Sequence, residues 1–112
     1  MPTVRTITEE KNSIFNQFLA EIRDQKVQKD RLRFRRNVER CGEIFAYEIS
    51  KELSFEKEGI TTPLGVSEDY ILKDQPILIT ILRAGLPLHQ GLLNAFDKAD
   101  NGYISAYRKH HK

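Results

Sequence analysis

The sequence predicts an α/β fold in which N-terminal helices lead into a βαβ unit of a parallel sheet, and three observations carry that prediction. Ile77, Leu78, Ile79, Thr80, Ile81 and Leu82 run without polar alternation, as strands buried on both faces of a parallel sheet do. Directly after them, Pro87 suits the first turn of a helix, where its missing N–H is no loss. Leu88, Leu92, Leu93 and Phe96 then give that helix one apolar face, ending near 97–100. Asn101 and Gly102 turn the chain into a second strand over 103–107, which stops at Arg108. About twenty residues separate the two strands, and a right-handed crossover helix needs roughly a dozen.

The preceding elements follow from shifts in hydrophobic period. Val4, Thr6 and Thr8 alternate with Arg5 and Ile7 in a short β-like piece. Asn12 or Ser13 can cap a helix through about Arg23, because Ile14, Phe15, Phe18, Leu19 and Ile22 recur at helical spacing. After a polar joint over 24–29, a second helix runs to roughly Leu53 on a stripe of Leu32, Val38, Cys41, Phe45, Ile49 and Leu53. Thr61, Thr62, Pro63 and Gly65 then favour turns and extended chain. The resulting division is one partial domain: strand and helices over 1–58, a hairpin or loop excursion over 59–75, and the βαβ unit over 76–112.

Composition bounds the function. Length 112 is about one small domain. Eighteen Lys and Arg against sixteen Asp and Glu leave +2, too mild an excess to call for nucleic acid. Cys41 is the sole cysteine and sits on the apolar stripe of the long helix, so it reads as a small core residue in a reduced compartment. No stretch approaches the ~20 apolar residues of a membrane span, and Arg5, Glu9, Glu10 and Lys11 stand where a signal peptide would be apolar. A soluble, cytoplasmic protein is expected.

In open parallel sheets, ligands bind beyond the carboxyl ends of the strands. Both predicted strands end in arginine, Arg83 and Arg108. As neighbours or next-but-one, they would leave the sheet within about 5 to 10 Å of each other at the usual ~4.8 Å strand spacing. Either arginine alone could be a solvated strand end. Gly85 permits close backbone approach to an anion, and the following helix points its positive end the same way. The ligand expected there is phosphate or diphosphate. Neither GxGxxG nor GxxxxGK[ST] occurs. His110 and His111 are adjacent and at a basic chain end, so a flexible loop is expected rather than a metal site; His89, in a first helical turn, reads as a surface or capping residue. Lys26, Lys29, Arg31, Arg33, Arg35, Arg36 and Arg40 form a basic run, but Asp24, Asp30, Glu39 and Glu43 interleave with it. Pairs such as Arg35 with Glu39 make it a solvated helix face; tracking a nucleic-acid backbone is the less favoured alternative.

Ile81-Leu82-Arg83-Ala84-Gly85-Leu86, then Gly91, then Tyr107-Arg108 with Arg108 twenty-five positions after Arg83, resemble the uracil phosphoribosyltransferase family. Lys29, Arg31, Arg33 and Phe34 ahead of Gly42 and Tyr47 resemble its N-terminal region. The resemblance implies a type I phosphoribosyltransferase fold, Rossmann-like, and transfer of ribose 5-phosphate from 5-phosphoribosyl 1-diphosphate (PRPP) to uracil, giving UMP and diphosphate. It implies that Arg83, Ala84, Gly85 and Arg108 bind the PRPP diphosphate, with Mg2+ carried by that substrate. It further implies GTP as an effector, with Lys29 and Arg36 at its phosphates, and a homo-oligomer. The family's acidic ribose-phosphate loop and its uracil-reading segment have no counterpart in the chain. The chain is therefore expected to be an N-terminal, truncated portion that holds no catalytic group and does not turn over alone; a non-catalytic binder of phosphorylated metabolites is the alternative.

Overall fold

The computed structural model describes Thr6 and residues 12–105. The β-like piece at 4–8, Tyr107, Arg108, His110 and His111 therefore lie outside the described residues, Thr6 apart. The first helix, α1, is Ile14–Arg23. Ser13 stands at its cap, but its hydroxyl is buried without a partner and makes no cap bond. A single 3-10 turn, Val27–Lys29, leads into α2, Arg31–Ser50. Here the cap is made: the Asp30 carboxylate accepts from the Arg33 amide at 3.1 Å, satisfying one of the orphan donors of the first turn.

α1 packs on α2 through Phe15, which is buried, and Phe45, with ring centroids 5.5 Å apart. The buried line of α2 departs from the predicted stripe. Asn37, Cys41, Gly42 and Ala46 are buried, whereas Leu32 and Ile49 are exposed. The physical reason is the approach of the next helix, α3, Leu86–Ala95. A Cβ on Gly42 would lie 2.5 Å from the Leu88 carbonyl oxygen, and one on Gly91 would overlap the carbonyl oxygen of Glu39. Backbones this close admit only small residues along the crossing. Burial also pushes the Cys41 thiol pKa up.

The excursion expected over 59–75 is a hairpin that begins earlier, because α2 ends at Ser50: β1 Phe55–Thr62 pairs antiparallel with β2 Gly65–Leu72. Its two-residue turn is Pro63-Leu64; Gly65 follows at φ 132°, a backbone region that only glycine enters freely. The Thr62 hydroxyl donates to the Gly65 carbonyl at 2.7 Å and accepts from the Leu64 amide at 3.2 Å. Most of the hairpin is exposed, and the Cα radius of gyration is 17.9 Å, against roughly 13 Å for a compact chain of this length. The hairpin projects from the body.

The strand β3, Ile77–Leu82, pairs in parallel with β4, Asp100–Ser105, and α3 crosses between them. The βαβ unit is thus present, with two differences from the sequence reading. Asn101 and Gly102 lie inside β4 rather than in a turn before it, since α3 already ends at Ala95. And β3 is buried on one face only: Leu78 and Thr80 are buried, while Ile77, Ile79 and Ile81 are 70%, 63% and 59% exposed. The helices cover the Leu78 side, where Ala46, Leu78, Phe96 and Ala99 form the core with Leu53, Leu72, Leu92 and Leu93 packed around it. Among the described residues nothing covers the other side, to which Ile104, paired with Ile81, adds a fourth apolar side chain.

Candidate functional site

The carboxyl end of β3 turns directly into α3, and the turn is built by three backbone hydrogen bonds. The Gly85 amide donates to the Ile81 carbonyl at 3.0 Å, Leu86 to Arg83 at 3.1 Å, and His89 to Gly85 at 2.9 Å. The Leu82–Arg83 peptide bond is cis. Arg83 and Ala84 stand exposed at the tip, and Pro87 occupies the start of α3 as expected.

Gly85 is required for a reason other than the expected one. Its φ and ψ, −78° and −7°, are open to any residue. Its amide is already committed to Ile81, so it is not a free donor to an anion. What excludes a side chain is space: a Cβ would overlap the Thr80 hydroxyl and lie 2.9 Å from the Ile81 oxygen. The glycine lets the turn sit down on the buried Thr80.

Arg83 has no carboxylate partner among the described residues, and no acidic residue lies in the first turn of α3. Among the described residues no negative charge offsets the turn, where one guanidinium and the positive end of a ten-residue helix face the same solvent. An anion presented there gains charge-assisted hydrogen bonds in the bidentate geometry that guanidinium offers. Arg108, expected at the same rim, lies outside the described residues.

The basic face of α2 is only partly assembled as expected. Lys29 and Arg36 are both exposed. Arg36 lines two shallow grooves: one of about 170 Å³ with Asp30, Leu32, Arg33 and Arg40, and one of about 320 Å³ with Leu32, Arg35, Glu39, Leu86 and Pro87. Lys29 lines neither. The expected pair of Arg35 with Glu39 is replaced by Arg36 with Glu39 at 3.3 Å, and Glu39 also accepts from Asn94 of α3 at 3.0 Å. Arg33 is tied across to Glu21 of α1 at 2.9 Å. Gln17, Arg33 and Asn37 all donate to that carboxylate and hold its pKa below the ordinary value. The second groove places Arg35 and Arg36 beside the first residues of α3, next to the turn that carries Arg83. No sequence pattern announced that proximity, which arises from the Gly42–Gly91 crossing.

His89 is a correction. It is buried at 5% exposure, not a surface or capping residue, and its Nε2 lies 2.7 Å from the Asn101 side-chain oxygen. Among the described residues no three His, Cys, Asp or Glu side chains converge so as to hold a metal ion. No described helix is long and apolar enough to cross a membrane.

These elements have known counterparts. A solved structure, the AQ2163 protein from Aquifex aeolicus, superposes with a TM-score of 0.69 at 23% identity, covering 83% of this chain and 44% of its own; the likeness is one of fold. Curated uracil phosphoribosyltransferases match in sequence. That of Porphyromonas gingivalis is 54% identical over 88% of this chain and 46% of its own length. That of Methanococcus vannielii is 42% identical over 77% and 38%, and that of Thermococcus kodakarensis 39% identical over 82% and 40%. The chain thus spans less than half the length of these relatives. The family model for uracil phosphoribosyltransferase matches residues 9–112, taking in the helices, the hairpin and the Arg83 turn alike. By that match and by the relatives' identity along its length, the chain belongs to the uracil phosphoribosyltransferase family.

Proposed function

We propose that the chain supplies the diphosphate-holding part of a uracil phosphoribosyltransferase, an enzyme that transfers ribose 5-phosphate from PRPP to uracil and releases diphosphate. One observation carries the reading: in a chain of this family, the Arg83–Gly85 turn presents at the start of α3 a guanidinium that has no carboxylate partner among the described residues. In such a reaction the C–O bond to diphosphate breaks as the uracil nitrogen bonds to the anomeric carbon, through an oxocarbenium-like centre, and the nitrogen's proton is released to solvent or to the departing diphosphate. The leaving group takes on negative charge, so donors fixed beforehand around it lower the barrier. Arg83 and Ala84 supply that environment, Gly85 sets the turn's height, and Arg108 adds a second guanidinium. Magnesium, in this reading, would enter with PRPP as the counter-ion of its diphosphate. No group in the chain is assigned to proton transfer or to nucleophilic attack.

Isothermal calorimetry with PRPP and with inorganic pyrophosphate tests this. Arg83→Ala removes a charged hydrogen-bond donor worth about 1.5 to 3 kcal/mol, so affinity falls roughly ten- to hundredfold. Arg83 is exposed, so the melting temperature stays where it was. Equal affinity in the variant, or no binding by the native chain, overturns the reading.

Finer features of the family fit the same surface. GTP would place its phosphates against Arg36, with Arg33 and Arg40 in the same groove and Lys29 nearby in sequence; Arg36→Ala should then abolish GTP binding while leaving pyrophosphate binding intact. The uncovered isoleucine face favours a homo-oligomer. A cytoplasmic location accords with a reduced Cys41.

A further inference from the structure

The βαβ unit holds one buried polar side chain that the diphosphate reading leaves unused. His89 closes the first turn of α3, immediately behind the Arg83–Gly85 turn, and its backbone amide donates to the Gly85 carbonyl at 2.9 Å. Its ring reaches the other way. Asn101 donates through Nδ2 to the Ala99 carbonyl at 3.2 Å, which orients the amide so that Oδ1 faces His89 at 2.7 Å. The ring nitrogen Nε2 must then carry the hydrogen and donate. The same ring lies against Tyr103, centroid to centroid 5.2 Å. Asn101 and Tyr103 pair with Leu78 and Thr80 in the ladder, and the Thr80 hydroxyl is the atom on which Gly85 rests.

One residue therefore joins the turn, through its backbone, to β4, through its side chain. β4 needs such a tie. Among the described strands it pairs with β3 alone, and most of its residues are exposed. We propose that His89 is a positioning residue: its bond to Asn101 fixes the height of the Arg83–Gly85 turn against β4, and so the geometry in which a diphosphate is held. The inference rests on the diphosphate reading of the turn for its functional consequence, but the positioning itself can be measured without ligand.

The test uses three variants of the purified chain. His89→Leu removes the donor, Asn101→Ala removes the acceptor from the exposed edge strand, and His89→Gln restores an N–H at a similar reach. Two quantities are read: amide hydrogen exchange at Gly85 and Leu86, with Ala46 in α2 as an internal reference, and the calorimetric affinity for inorganic pyrophosphate. Loss of this partly buried hydrogen bond should speed exchange at Gly85 and Leu86 by about tenfold in His89→Leu and Asn101→Ala, with a similar loss of pyrophosphate affinity. Exchange at Ala46 should not change, and His89→Gln should behave as the native chain does. Exchange that rises equally at Ala46 marks a merely structural role and overturns the proposal, as does unchanged exchange at the turn. If His89→Leu does not fold, Asn101→Ala decides. If the native chain binds no pyrophosphate, the diphosphate reading fails, while the exchange data still decide the positioning.

Discussion

Replacing Gly91 by alanine should destabilise the chain, although helix propensity alone says the opposite. In an exposed helix interior, Gly to Ala stabilises by about 1 kcal/mol. At Gly91 the added methyl would overlap the Glu39 carbonyl oxygen and lie 2.9 Å from both the Glu39 carbonyl carbon and the Glu43 nitrogen. These are backbone atoms of α2, so no side chain can swing away; the helices must part. Overpacking of this kind costs about 1 to 3 kcal/mol, and rigid neighbours put it at the upper end. The balance is a net loss of about 2 kcal/mol. For a domain near this size, that lowers the melting temperature by about 8 °C. Circular dichroism at 222 nm against temperature reads it directly, with Gly59→Ala as control. A methyl there would meet the Val66 side chain at 3.6 Å, an ordinary contact, and should shift the curve by less than about 2 °C. Gly42→Ala should act in the same direction as Gly91→Ala, and the two together should cost less than their sum, because one separation of the helices relieves both. A Gly91→Ala chain that melts at or above the native temperature would refute the close crossing and, with it, the placement of Arg35 and Arg36 beside the turn.

Other expectations concern the polar network and the sheet. Glu21 has a depressed pKa, through hydrogen bonds first from Gln17, then Arg33 and Asn37, so its contribution is fully present above its ordinary 4.5 and is lost as pH falls from there through the lower folded value. Glu21→Gln should therefore lower stability at about pH 7 and flatten the loss between about pH 5 and about pH 3, read by urea unfolding across that range; an unaltered acid limb would count against the network. Leu78→Ala, in the core, should cost about 2 to 4 kcal/mol, whereas Ile79→Ala, one residue away and facing water, should cost less than about 1 kcal/mol. Equal costs would mean that the isoleucine face is covered in solution. If that cover is a second copy, Ile79→Lys combined with Ile81→Lys should reduce the sedimenting species to monomer without loss of helix content.

Much of this fold was legible because its signals are local. The amphipathic period of α1, the apolar run of β3 and the proline at the head of α3 each express a backbone preference, and each element forms where its residues ask for it. The turn carrying Arg83 was legible for the same reason, since a strand end, a glycine and a helix start are contiguous. What escaped is non-local. Ile77, Ile79 and Ile81 look buried because their composition records a face meant for covering, and composition says nothing of whether the cover is at hand. Hydrophobicity alone puts Leu32 and Ile49 inside, but the α2–α3 contact selects for smallness, and Gly42 and Ala46 are buried instead. The position of His89 in a helix turn points to the surface, whereas its ring is held by Asn101, twelve residues on and in another element. The reason for Gly85 was missed likewise: it lies in the Thr80 hydroxyl beneath it, not in its own dihedral angles.

The bare isoleucine face also governs how the chain responds to temperature. Unfolding raises the heat capacity in proportion to the apolar surface newly wetted, at about 12 to 15 cal/mol/K per residue for ordinary domains. Ile77, Ile79, Ile81 and Ile104 are more than half exposed already, so they add little to that increment, and the exposed hairpin adds little more. The heat-capacity step and the urea slope should both fall below what the chain's length implies. A small step makes a shallow free-energy curve: stability that varies gently on cooling, with no sharp optimum. Docking of a second surface onto that face would steepen the curve, so calorimetry of the isolated and the assembled states would record the covering of those side chains as a change in curvature.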